Sequence, residues 1–155
     1  MATLRNALTT ITEGLAAALE PVTGGAPLDV AEHPGRFTEA ELGQIVMKKR
    51  AVRVAIEALP QVSVPGPGGI QAQLLMSAFV ICGDSAAGPR HQAAIDLIEQ
   101  IALVVPHQRW GVNFLRPALP ASMTIDNLYN GEIDAKGIAL WAIAWQQGYQ
   151  TVKPK

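Results

Sequence analysis

Near the start of the chain, Leu4, Leu8, Ile11, Leu15, Ala18 and Leu19 recur at steps of three and four. That spacing predicts an amphipathic helix over 3–19, with Thr3 as its cap and Pro21 as its stop. Gly14 inside it costs about 1 kcal/mol relative to alanine. Residues 20–36 hold Pro21, Gly24, Gly25, Pro27, Pro34 and Gly35 and read as a loop or an extended crossing. Thr38 followed by Glu39 and Glu41 looks like a capping box opening a short helix over 39–47.

The period then changes from helical to alternating. Val52, Val54 and Ile56 alternate with Arg53, Ala55 and Glu57, a strand with one wet face that is expected to end at Pro60. Pro65-Gly-Pro-Gly-Gly69 is a strong turn signal. The run from Ile70 to Cys82 begins with Gln71 and Gln73 on one face and becomes apolar on both, as a central strand would. Gly83 to Gly88 turns the chain into a second long helix, with Pro89 in its first turn and Pro106 at its end. Its buried stripe is Ala94, Leu97, Ile98, Ile101, Ala102 and Val105, with Gln92, Asp96, Glu99 and Gln100 toward water.

Residues 106–120 contain three prolines and are expected to be extended and irregular. Met123, Ile125 and Leu128 alternate with polar neighbours as a strand, and Asn130-Gly131 signals a hairpin whose turn could run to Asp134. Ile138 to Trp145 fits either period, and the preceding hairpin signal favours a strand. Trp141, Ile143 and Trp145 would then share one face and Leu140, Ala142 and Ala144 the other. The expected fold is α+β: a single domain, 1–155, with one mostly antiparallel sheet and two main helices packed on one face.

Composition changes this picture in one respect. Apolar residues make up 49% of the chain and charged residues only 16%, below the roughly 25% usual for soluble domains. A lightly charged surface of this kind suits a protein covered in part by partners. Twelve basic against thirteen acidic residues argue against binding driven by nucleic-acid phosphates. The run Lys48-Lys49-Arg50 reads as a solvated helix end. No secretory signal is visible at the start, and Ile138 to Trp145 is too short to span a bilayer, so a cytosolic site of synthesis and no membrane partner are expected. The lone Cys82 lies among Phe79, Val80 and Ile81 as a small buried hydrophobe.

Candidate chemistry is incomplete wherever it occurs. Gly83-Asp84-Ser85 resembles the opening block of GDS-type esterases, in which the serine is the nucleophile. A serine nucleophile needs a base and a group to orient it, and that family supplies both from a C-terminal Asp-x-x-His. Here no histidine follows His107, and Val104 stands three residues before it. The simpler reading is that Asp84 or Ser85 caps the second helix. Gly83 and Gly88 have phosphate-loop spacing, but Pro89-Arg90 replaces the required lysine and hydroxyl. His33, His91 and His107 share no metal-ligand spacing. The carboxylate pairs Glu39/Glu41 and Glu132/Asp134 suit helix starts. Trp141 and Trp145 read as core fillers or, less simply, as a binding surface. No enzyme activity, metal or cofactor is expected; an esterase using Ser85 is the competing reading.

Three features together resemble a known family: a first helix followed by a loop and the strand Val52-Arg-Val-Ala-Ile56; Ile95-Asp-Leu-Ile-Glu-Gln-Ile101 after a buried strand; and Asn127-Leu-Tyr129 followed by Gly137-Ile-Ala-Leu140. The chain resembles the tail-terminator family of Mu-like tailed bacteriophages. The resemblance implies a tail-terminator-like α+β domain that assembles with itself as a ring, six-fold in that family's manner, at the head-proximal end of the virion tail. It implies the tail tube protein and a head–tail connector protein as partners, assembly in the host cytoplasm, and DNA passing through the bore without sequence-specific contacts. Another head–tail joining ring is the nearest alternative. A ring needs head-to-tail contacts that close on rotation. The loops at 22–36, 60–69 and 106–120 are the candidate contact regions, with Arg109, Trp110 and Arg116 as interface anchors, since Arg and Trp are enriched at hot spots.

Overall fold

A computed structural model describes residues 3–20, 28–85 and 88–151. Within them lies one five-stranded mixed sheet with strand order β1-β2-β3-β5-β4. Its strands are β1 (Asp29–Glu32), β2 (Arg50–Ser63), β3 (Ile70–Cys82), β4 (Thr124–Asn127) and β5 (Ala139–Thr151). Its helices are α1 (Leu4–Leu19), α2 (Glu39–Ile45), α3 (Arg90–Val104) and α4 (Gly131–Ala135). Only β1 and β2 run parallel; the other three pairings are antiparallel.

The long helices form for the reasons legible in the chain. Thr3 caps α1 by accepting from the Asn6 N–H at 3.0 Å. Ala7, Ile11, Leu15 and Leu19, four apart, put one stripe entirely out of water. Each of the three large side chains contributes on the order of 1.5–3 kcal/mol by that burial. The helix ends at Glu20; Pro21 and the loop through residue 27 lie outside the described residues. Asp84 caps α3, its carboxylate accepting from the Arg90 N–H at 2.9 Å. Thr38 caps α2, but Glu41 makes only half of a capping box: its carboxylate turns away to pair with the His33 ring.

Alternation along β2, β3 and β5 divides the core in two. Val52, Val54, Leu74, Met76, Val80, Ile143 and Trp145 lie on the face covered by α1 and α3. Ala51, Ala55, Phe79, Ile81 and Leu140 lie on the other, where α2 and α4 supply Leu42, Ile45 and Ile133. Both faces are therefore covered at this end of the sheet, which adds two short helices to the expected pair on one face. Cys82 is a small buried hydrophobe in the first layer, and burial pushes its thiol up to about 12.

Four details differ from expectation. The 20–36 segment is not all loop, because Asp29–Glu32 pairs with β2. Pro60 does not end β2, which continues to Ser63. β1 covers only Ala51 to Val54, so the later outer edge of β2 demands no ladder bond, and register shifts on either side of Ala58 absorb the proline. Asn130-Gly131 is not a two-residue hairpin turn. Asn130 instead caps α4, accepting from the Glu132 N–H at 2.7 Å. Finally, the last strand is longer than Ile138 to Trp145: β5 runs from Ala139 to Thr151, between β3 and the edge strand β4.

Candidate assembly surface

β2, β3 and the end of β5 run on beyond the helices as an arm, and the glycine-rich turn, where Gly68 has φ 76°, joins β2 to β3. Val62, Val64 and Ile70 near its tip are 55%, 67% and 41% exposed. On the helix-free continuation of the second face, side chains from three strands form a polar band. Gln61 stands opposite Gln73, Ser63 opposite Gln71, and Gln71 opposite Gln150. Together with Arg116 and Gly148 they line an open groove of about 570 Å³.

The wall of this groove is built by residues 106–119. The segment is irregular, as expected, but it is tied along the free stretch of β5. Arg116 N–H donates to Gly148 O at 2.8 Å, Leu119 N–H to Gln146 O at 3.0 Å, and Gln150 N–H to Phe114 O at 3.0 Å. Gln147, wholly buried, is the hub of the attachment. Its Oε1 accepts from the indoles of Trp145 at 2.9 Å and Trp110 at 3.1 Å. Its Nε2 donates to Arg116 O at 2.9 Å. A buried amide with both ends satisfied stabilises this docking, whereas an unsatisfied one would cost about 1–3 kcal/mol.

The three anchor candidates therefore lie in one loop but do different things. Trp110 is half-buried, has φ 58°, and rests its ring on α1 at Gly14. A Cβ at Gly14 would come within 2.6 Å of the Trp110 Cε3 atom. Arg109 is exposed and donates from Nε to Leu115 O at 3.1 Å, bracing the loop. Arg116 is the one that reaches the groove. Its alkyl chain lies over Gly148, where a Cβ would meet Cγ at 2.8 Å, and its guanidinium donates to Gln150 Oε1 at 3.1 Å. Among the described residues no carboxylate lines the groove. Reasoning from sequence missed Gln147 and Gly148 as supports; the recurrence of glutamine at alternate positions of the strands was the available signal for the polar band.

Elsewhere the expected chemistry is spent on structure. Asp84, besides capping α3, pairs with the Arg90 guanidinium at 2.8 Å. Asp134 accepts from Arg90 and His91, both at 2.8 Å, and Lys136 pairs with Glu39 at 2.5 Å. These contacts tie α4 to α3 and α2. The Arg90 hydrogen bond, seconded by His91, holds the Asp134 carboxyl below its ordinary range; the Arg90 backbone N–H does the same for Asp84, and Lys136 for Glu39. Trp145 fills the core and Trp141 packs half-buried against the same layer. Among the described residues no three His, Cys, Asp or Glu side chains converge as a metal set, and no helix is long and apolar enough to cross a membrane.

No family model matches the chain, and no curated protein matches it.

Proposed function

We propose that this chain is a structural virion protein with a tail-terminator-like fold: a head-to-tail ring that caps the head-proximal end of a phage tail tube, stops its growth and offers the head a docking face. The observation that carries the reading is the exposed arm. Strands that continue past their covering helices and display Val62, Val64 and Ile70 to water present apolar area whose burial needs a partner. The resemblance in the first helix, the α3 run and the 127–140 segment supplies the identity of that partner. The antiparallel core between two layers of helices is consistent with the α+β domain that the resemblance implies.

On this reading the chain contributes contacts and shape, and Asp84 and Ser85 serve the turn into α3. The test is tail-tube polymerisation with the purified chain added. Tubes should stop growing and carry density at one end only. Unchanged tube lengths and bare ends would refute the proposal, and density at the connector alone would point to another head–tail joining ring.

A further inference from the structure

The groove has a chemical preference. Its floor offers the amides of Gln61, Gln71, Gln73 and Gln150, which both donate and accept. Its wall offers the guanidinium of Arg116, which donates one bond to Gln150. Among the described residues no carboxylate in the lining answers the guanidinium charge. Such a surface suits an extended backbone, whose N–H and C=O groups amides can meet, carrying one carboxylate for the arginine.

The same chain displays such a segment at the sheet edge beside β5. All four residues of β4 are exposed. Leu128 N–H donates to Leu140 O, so by antiparallel alternation the main-chain groups of Ile125 and Asn127 point away from β5. Between them the carboxylate of Asp126 makes no hydrogen bond or ion pair among the described residues. It stands opposite Ala142 and so shares the sheet face that holds the groove. The free stretch of β2 is guarded by register shifts, Glu57 and Pro60, whereas β4 is guarded only by its short length and the charge of Asp126, and that charge is the one the arginine would meet.

We infer that the Arg116 groove receives the β4 edge of a second copy of this chain, with Asp126 of that copy against Arg116. The inference rests on the ring reading above. Donor and acceptor are two different patches of one chain, as a head-to-tail contact requires: β4 flanks β5 at Trp141 to Ala144, and the groove opens further along β5 at Gly148 to Gln150. Leu128 and Tyr129, exposed beside the donor, supply apolar area to the same contact.

Charge exchange tests it in the full chain. Mass photometry over a dilution series should show Arg116→Glu and Asp126→Lys each weakening self-association at least about tenfold, and the double exchange restoring it to within about threefold. Gln61→Glu, a small change at an exposed position, should weaken it in the same direction, and circular dichroism melts should show every variant folded. Rings that form equally well with either single variant would overturn this contact while leaving the ring intact. So would a double exchange no better than the single ones. A wild-type chain that stays monomeric throughout would remove both the contact and the ring.

Discussion

Gln147 and the two glycines near it show how much of the assembly surface depends on single side chains. Gln147 joins two indoles to a loop carbonyl inside the protein. Gln147→Leu leaves those groups unpaired and should cost about 2–3 kcal/mol, or roughly 5–10 °C in Tm; a loss under about 1 kcal/mol in urea melts would contradict the hub. Gly14→Ala should destabilise by about 1–2 kcal/mol although alanine favours helix, because the Trp110 ring cannot withdraw from its seat without shifting the loop. Gly148→Ala meets only the flexible Arg116 chain, so denaturant melts should change by less than about 1 kcal/mol while self-association weakens. Cys82, with its thiol raised by burial, should resist thiol reagents at pH 8 until the protein is unfolded. Labelling of the native protein at the rate of the denatured chain would refute that. Of these residues the sequence revealed Cys82 through its apolar neighbours. Gln147 was illegible because all its partners but Trp145 come from residues 108–116, far along the chain, and nothing local distinguishes a buried glutamine from a solvated one.

At the scale of elements, long periodic segments were legible and short ones were not. α1, α3 and β3 declare themselves by repeated spacing and by a cap or a turn. β5 was ambiguous in period, and its strand state is fixed by pairing on both sides, with β3 along its length and with β4 or residues 114–119 on the other edge. β1 has four residues between proline- and glycine-rich stretches, and its state depends on a parallel partner that sequence spacing cannot announce. Asn130-Gly131 marked the antiparallel β4–β5 connection but not its form, because a side chain that suits a tight turn also suits the helix cap found there. The ionic ties of α4 give the fold an acid limit. Asp134, Asp84 and Glu39 are all depressed by their partners, so their stabilisation is present above the ordinary carboxylate range near pH 4. It is lost as pH falls through their lower folded values. Asp134→Asn should therefore flatten the acid limb of a stability–pH curve while leaving its slope above pH 5 alone. A limb of unchanged steepness would mean that other carboxylates govern it. The arm carries a separate prediction. Val62→Ser with Val64→Ser should alter denaturant stability by less than about 0.5 kcal/mol, since both side chains are already in water, and should still reduce self-association in dilution series.

Across the whole molecule the architecture is asymmetric. One end of the sheet is closed between two layers of helices, and the other extends as an arm with a polar groove on the face that α2 and α4 cover at the closed end. The exposed β4 edge lies across the sheet from the stretch of β2 that β1 leaves bare. The α+β class and the mostly antiparallel sheet could be read from the order of periods along the chain. The second helical layer and the groove could not, because both arise only when distant segments meet. The contact reading as a whole turns on whether the chain closes into a ring. Mass photometry of the wild-type chain across a wide concentration range is the most direct measurement. The account predicts one discrete assembly, six-fold in mass, that persists on dilution with no ladder of larger species. A monomer at every concentration, or an open series of ever longer oligomers, would contradict it.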